Sequence, residues 1–86
     1  MKVGVAGSVE SNDTLIMIQP AEQLTIEITS IVDAFFHDQI EKVIKDTLLE
    51  FNLENVKVVC QDKGALDYTI KARLVTAIKR MEGQDA

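Results

Sequence analysis

Ser8 and Ser11 are the residues of this 86-residue chain whose type and setting best suit covalent chemistry. They lie among small side chains between Gly7 and Asp13, just before a strongly apolar stretch. A hydroxyl on an exposed, deformable segment can enter the active site of another protein, and small neighbours do not block that approach. The same composition is also common in plain turns before strands. Composition therefore decides neither between a turn serine and a modified serine nor between Ser8 and Ser11.

Other candidates for catalysis are few. His37 is the single histidine and falls on the polar face of a predicted helix, so we expect a solvated surface side chain. Cys60 is the single cysteine and shares the phase of Val56 and Val58 in a predicted strand, so we expect a small core residue. These two residues are far apart and offer no zinc-ligand spacing. We therefore expect no catalytic residue and no metal ligand, and we predict that the chain is not an enzyme on its own.

The charge and cysteine content restrict the partners and the compartment. Fourteen acidic and nine basic residues give a formal net charge of -5, which repels phosphate backbones and disfavours nucleic-acid binding. A basic protein surface is the better partner. A single cysteine excludes an internal disulfide and fits a reducing cytoplasm. No apolar run has the length of a membrane span, and no signal peptide is recognisable, so we expect a cytoplasmic protein without membrane contact.

Three stretches have the composition or periodicity of strands. Residues 13–19 are rich in branched and long apolar side chains and end before Pro20. Residues 23–29 alternate between apolar and polar, as a half-buried strand does. Because a short turn separates these two stretches, they suggest an antiparallel hairpin. Residues 56–61 form the third predicted strand, which ends at the Asp-Lys-Gly sequence that follows.

Two stretches have the period of helices. Ser30 resembles the cap of the first helix, with Asp33 placed to return a hydrogen bond. The second predicted helix spans residues 65–81, and Asp62 and Asp67 near its start suit the helix dipole. Each helix has one apolar stripe of predicted core residues. The stripe of the first helix contains Val32, Phe36, Ile40, Val43, Ile44, Thr47, Leu48 and Phe51, and that of the second contains Leu66, Ile70, Leu74, Ala77, Ile78 and Met81.

The element order is therefore β-β-α-β-α, and the predicted fold is an α+β two-layer sandwich. We expect a small mixed sheet covered on one face by both helices, a rearranged ferredoxin-like arrangement with a parallel strand-helix-strand crossover. Residues 2–5 or 8–10 could add an edge strand. Residues 1–12 are expected to form a flexible N-terminal arm that contains Ser8 and Ser11. Residues 13–83 are expected to form a single α+β domain, and residues 84–86 a tail.

Two strings of residues resemble a known family, the acyl carrier subunit (gamma chain) of citrate lyase. They are AGSVESND at residues 6–13 and DKGALD at residues 62–67, and chain length and acidity also agree. The first string is similar to the family pattern in which alanine-glycine and glutamate-serine precede an aspartate. By this resemblance Ser11 is the residue that bears the prosthetic group. Asn12 stands where the family has glycine, Tyr68 stands where it has cysteine, and the C-terminal tail is short.

The resemblance implies a carrier without catalytic groups. The family's serine is joined through a phosphodiester to a phosphoribosyl-dephospho-CoA arm, whose thiol carries acetyl and then citryl groups as thioesters. A prosthetic-group transferase attaches the arm. The alpha subunit, an acyl transferase, exchanges acetyl for citrate, and the beta subunit, a citryl lyase, releases oxaloacetate. Cleavage of citrate to oxaloacetate and acetate is thus the implied activity of the complex. We expect the acidic residues Glu10 and Asp13, beside Ser11, to take part in docking.

Two other functions remain open from the sequence. One is the carrier of malonate decarboxylase, which resembles the same family and uses the same arm. The other is an α+β protein-interaction or small-ligand module in which Ser11 is unmodified.

Overall fold

The computed structural model describes residues 3–30 and 36–83. Within these residues the chain forms a mixed four-stranded sheet and two helices, which confirms the predicted α+β class. The structure has one strand more than the predicted order, and this strand comes first in the chain. In chain order the elements are β1 Gly4–Gly7, β2 Thr14–Pro20, β3 Thr25–Ser30, α1 His37–Glu50, β4 Val56–Asp62 and α2 Asp67–Met81.

The strands lie in the order β1-β2-β4-β3. Strand β2 is antiparallel to both β1 and β4, and β3 is parallel to β4. The expected parallel crossover through α1 is present, but the antiparallel hairpin between β2 and β3 is wrong, because β4 lies between them. The reason lies in the side chains. Strand β4 buries Val56, Val58 and Cys60 and suits the interior of the sheet, whereas β3 exposes Glu27 and Thr29 and suits an edge.

Both helices pack on one face of the sheet, as the apolar stripes predict. In β2 the burial alternates, so that Ile16 and Ile18 are fully buried while the residues between them are half-buried. Ile44 on α1 and Leu74 on α2 are also fully buried. Burying side chains of this size contributes about 1.5–3 kcal/mol each, most of which is offset by the entropy lost on ordering the chain.

The start of α1 differs from the prediction. Ser30 is the last residue of β3, and its hydroxyl donates to Asp62 Oδ2 at 3.1 Å, so Ser30 is not a helix cap. The helix begins at His37, and Phe36 at the N-cap is 47% exposed instead of lying in the core stripe. Val32 and Asp33 lie outside the described residues. At the other end, Asn52 has the left-handed conformation expected after a helix, with φ of 55°.

Helix α2 begins at Asp67, two residues later than predicted, with Leu66 as its N-cap. Leu66, assigned to the core stripe from its spacing, is 60% exposed. A cap residue lies before the first helical turn, so its side chain does not follow the stripe that packs on the sheet. None of the described helices has the length and hydropathy needed to cross a membrane.

Strand β1 places part of the N-terminal segment in the sheet. Residues 4–7, which fall in the expected flexible arm, pair with β2 and pack against α2, so the edge strand that the sequence left open is present. Gly4 allows this contact, because a Cβ at this position would lie 1.8 Å from the carbonyl oxygen of Ala77 on α2. Strand β1 and helix α2 together fix the start of the connection that contains Ser8 and Ser11.

Candidate functional site

Ser11 lies at the tip of the connection between β1 and β2. The amide of Asp13 donates to the carbonyl oxygen of Glu10 at 3.1 Å, which closes a four-residue turn with Ser11 and Asn12 as its central residues. Asn12 has φ of 66°, a conformation that favours glycine and that asparagine tolerates better than most residues. Asparagine therefore fits the position at which the resembling family has glycine.

The turn is attached to the body of the protein by two backbone hydrogen bonds. The Asn12 amide donates to the Lys63 carbonyl oxygen at 2.7 Å, and the Lys63 amide donates to the Asp13 carbonyl oxygen at 2.9 Å. Lys63 belongs to the connection between β4 and α2. The two strings on which the family resemblance rests, residues 6–13 and 62–67, are thus in direct contact in the fold.

Asp13 links the base of the turn to helix α2. Its carboxylate accepts hydrogen bonds from Arg73 Nε at 3.0 Å and Nη2 at 3.2 Å, from the Ser8 hydroxyl at 2.7 Å and from the Thr14 amide at 2.7 Å. The Arg73 and Ser8 hydrogen bonds, with that of the Thr14 amide, lower the pKa of Asp13 to about 2. Asp13 is therefore ionised at neutral pH and holds the turn in place.

The ion pair between Asp13 and Arg73 makes stability pH-dependent. Because the native pKa of about 2 lies below the ordinary value of 3.8, the carboxylate stabilises the fold fully above the ordinary value. That contribution is lost as the pH falls towards the native pKa. Urea unfolding of wild type and Asp13→Asn, at about pH 6 and about pH 2.5, is expected to show a stability difference that is large at the higher pH and small at the lower one. An equal difference at both pH values would contradict the role of this ion pair.

The two candidate serines differ in their surroundings. The Ser8 side chain is half-buried, donates to Asp13 and accepts the Glu10 amide at 3.3 Å. Ser11 is exposed, and its hydroxyl makes no hydrogen bond to any residue within 3–30 and 36–83. Of the two oxygens, that of Ser11 is open to an approaching protein, whereas that of Ser8 serves the turn.

Other residues singled out in the sequence lie away from this turn. Cys60 is fully buried, with its sulfur 3.3 Å from Thr14 Oγ1, which confirms its expected place in the core. Burial raises the pKa of its thiol. His37 is exposed on α1, as expected.

His37, Asp38 and Glu41 bring one possible metal-ligand atom each within 4.8 Å, a grouping that the sequence reasoning missed. A histidine and an acid four residues apart on a helix were the available signal. His37 and Asp38 are exposed, and Glu41 pairs with Lys45 at 3.1 Å.

Asp62 holds the connection beside the turn. Only 2% of it is exposed, and its carboxylate accepts the amides of Gly64 at 3.0 Å and Ala65 at 3.1 Å as well as the Ser30 hydroxyl. It therefore orders the β4–α2 connection, not the first turn of α2 for which it was predicted. Asp67 lies in that first turn and accepts from Gln39 Nε2 at 2.6 Å. In the sequence, the signal for the role of Asp62 in this connection is an aspartate two residues before a glycine at the end of a strand.

The fold and the exposed turn serine agree with a class of small carrier proteins. The family model described as the ACP, malonate decarboxylase delta subunit (MdcD), matches residues 1–81. In solved structures, a chain of the Pseudomonas malonate decarboxylase hetero-tetramer in complex with malonate superposes with a TM-score of 0.81. That match covers 93% of this chain and 84% of the other at 16% identity, so it shows a shared fold. The class is that of acyl carrier proteins.

Curated relatives show which family of acyl carrier proteins is similar to this chain. The citrate lyase acyl carrier protein of Treponema denticola is 46% identical, over 88% of this chain and 87% of the relative. That of Lactobacillus helveticus is 49% identical over 94% and 86%, and that of Streptococcus uberis is 43% identical over 99% and 85%. The chain belongs to the citrate lyase acyl carrier protein family.

Proposed function

We propose that this chain is the acyl carrier subunit of a citrate lyase complex and that Ser11 carries its prosthetic group, a phosphoribosyl-dephospho-CoA arm. The observation on which the proposal rests is the Ser11 hydroxyl, exposed at the tip of an anchored turn and without a hydrogen bond to the described residues. Its neighbours in the turn leave room for a bulky phosphodiester, because Glu10 and Asn12 are exposed as well. The residues present therefore fit the group.

In this proposal the residues of the chain position the arm and leave catalysis to other subunits. When attached, the arm supplies the thiol on which acetyl and citryl groups travel between active sites. Ser11 supplies the ester oxygen, and the hydrogen bonds of Asn12 and Asp13 fix where the arm leaves the protein. Tethering raises the effective concentration of the carried group at each active site and prevents its loss by diffusion.

The proposed partners are the acyl transferase (alpha) and citryl lyase (beta) subunits and the transferase that attaches the arm, all in the cytoplasm. Cleavage of citrate to oxaloacetate and acetate is the proposed activity of the complex. The acidic surface suits protein partners and disfavours nucleic acid.

A malonate decarboxylase-type carrier is the second candidate, and the family model and the superposed hetero-tetramer chain favour it. The modified chain can be added to citrate lyase subunits and, separately, to malonate decarboxylase subunits that lack their own carriers. Restored citrate cleavage supports the first candidate. Restored malonate decarboxylation alone supports the second.

The intact mass of the protein isolated from its native cells tests the proposed modification. A mass that exceeds the bare chain by one arm supports it, and peptide mapping is expected to place the addition on Ser11. A mass equal to that of the bare chain would favour the unmodified interaction or small-ligand module.

Thiol counting gives an independent prediction, because the single cysteine of the chain is fully buried. The unmodified chain is expected to react with a disulfide reagent about 100-fold more slowly than a free thiol, which corresponds to an opening free energy of about 2.7 kcal/mol. The modified, deacylated chain is expected to show one rapidly reacting thiol per molecule. Urea-unfolded material is the control, in which Cys60 reacts rapidly with or without the arm. A fast thiol in the native unmodified chain would contradict the burial of Cys60.

A further inference from the structure

A groove opens between the N-terminal ends of α1 and α2, next to the turn that carries Ser11. It has a volume of about 250 Å³. The groove is close to the turn because Gly64, which lines it, lies beside Asn12: a Cβ added at Gly64 would be 3.6 Å from Asn12 Oδ1. The residues that line it include Phe36, Asp62, Gly64, Leu66 and Asp67. A protein that acts on Ser11 therefore approaches this groove.

Two exposed apolar side chains line this groove, and both occupy N-cap positions. Phe36 caps α1 and is 47% exposed, and Leu66 caps α2 and is 60% exposed. Within the part of the chain that the structure describes, neither helix has a side-chain hydrogen bond at its N-cap. Serine, threonine, aspartate and asparagine are the residues that stabilise this position, so a phenylalanine and a leucine here weaken the helix ends without serving the core. Their coincidence at one groove indicates a binding role.

The charge of the groove indicates the chemistry of its partner. Asp62 and Asp67 both line the groove, and none of the described residues that line it is a lysine, arginine or histidine. Asp13, which the sequence suggested for docking, has its carboxylate engaged by Arg73, Ser8 and Thr14. The Asp62 carboxylate is buried and accepts hydrogen bonds from Ser30, Gly64 and Ala65. The exposed acidic side chains that a partner meets here are therefore Asp67 in the groove and Glu10 in the turn.

We propose that this groove is the docking site for the transferase that attaches the arm to Ser11. This inference rests on the proposed function. A transferase that binds a donor bearing several phosphates needs lysine or arginine side chains around its active site, and these complement the exposed carboxylates of Asp67 in the groove and Glu10 in the turn. An apolar side chain of the transferase inserts between Phe36 and Leu66, and the basic residues beside it face Asp67.

Leu66→Ser tests the apolar contact without weakening the fold, because serine is a better N-cap residue than leucine. The rate at which the unmodified chain gains the mass of the arm is measured at low carrier concentration, with purified transferase and its donor. Leu66→Ser is expected to lower kcat/KM about tenfold through a higher KM, as loss of a central interface side chain does. The matched control is Leu49→Ser, which removes another leucine, 70% exposed, that does not line this groove.

Asp67→Lys and Asp38→Lys test the charge. Both aspartates lie in the first turn of a helix and both changes add the same charge, but Asp67 lines the groove and Asp38 does not. Asp67→Lys is expected to slow loading more than Asp38→Lys at low salt, with a difference that shrinks as salt rises.

Direct binding of the transferase to the unreactive Ser11→Ala chain, with and without Leu66→Ser, completes the test. Weaker binding of the double variant supports the docking site. Equal binding, together with equal loading of Leu66→Ser and wild type, overturns it while leaving the proposed function intact. Failure of the wild-type chain to gain mass overturns both. Two other results would show a different occupant of the groove and would also overturn the docking site. One is a dimer of the chain that Leu66→Ser dissociates. The other is an arm that becomes more mobile in Leu66→Ser while transferase binding is unchanged.

Discussion

Ser11→Ala is expected to abolish the mass increase that accompanies attachment of the arm. The substitution removes the hydroxyl of the turn, which is exposed and makes no hydrogen bond to the described residues. The change lies on the surface and breaks none of the hydrogen bonds that the structure describes, so the free energy of unfolding is expected to stay within about 0.5 kcal/mol of wild type. Intact mass after coexpression with the modifying enzymes measures the first effect, and urea unfolding measures the second.

Ser8→Ala is the matched control for this experiment. It removes a second hydroxyl of the same connection, but one that donates to Asp13 and accepts from Glu10. We expect Ser8→Ala to lose some stability and to gain the full mass of the arm. The opposite pattern, with mass retained in Ser11→Ala and lost in Ser8→Ala, would move the attachment site to Ser8.

The local periodicity of the sequence was sufficient to predict most elements of the fold. Alternating residues in β4 and three-to-four spacing in both helices specify which side chains are buried, because each pattern is a direct consequence of backbone geometry. Ile44, Leu74 and Cys60 lie in the core for this reason. The helix-spanning parallel crossover followed from general rules of chain connection.

Pairing between distant segments could not be predicted in the same way. The hairpin between residues 13–19 and 23–29 satisfied the local pattern, but β4 pairs with both strands in the fold. Local alternation says which face of a strand is buried and does not say which strand lies beside it. The α-helical periodicity also included Phe36 and Leu66, although a residue just before a helix does not project with the helical stripe.

The candidate site shows the same division. Turn composition and the family resemblance drew attention to Ser11, but the contrast between Ser8 and Ser11 depends on contacts with the rest of the fold. Arg73, which lies 60 positions from Asp13 in the sequence, donates a hydrogen bond to the Asp13 carboxylate and fixes its orientation. Its spacing on α2 gave no sign of this role.

Rigidity at the base of the turn and exposure at its tip are complementary requirements. In the proposed function the carrier delivers its group to more than one active site, so the arm has to move while its point of attachment stays defined. The backbone hydrogen bonds of Asn12 and Lys63 and the ion pair of Asp13 with Arg73 fix the base. In that proposal the exposed Ser11 lets the attached arm move freely. The position of the turn depends on the connection that contains Lys63.

Asp62→Ala is expected to lower the free energy of unfolding by about 2–4 kcal/mol, because it removes a buried acceptor from the Gly64 and Ala65 amides. Asp62→Asn is expected to lose less, since one amide oxygen remains to accept. Urea unfolding gives these values, and Asp38→Ala, at a side chain 98% exposed, is a control expected to change stability by no more than about 0.5 kcal/mol. Hydrogen exchange at Gly64 and Ala65 is expected to accelerate in Asp62→Ala before the rest of the sheet is affected, because the connection beside the Ser11 turn loses its local support. Unchanged exchange at both amides would mean that the backbone of this connection, and not Asp62, holds the turn against the protein.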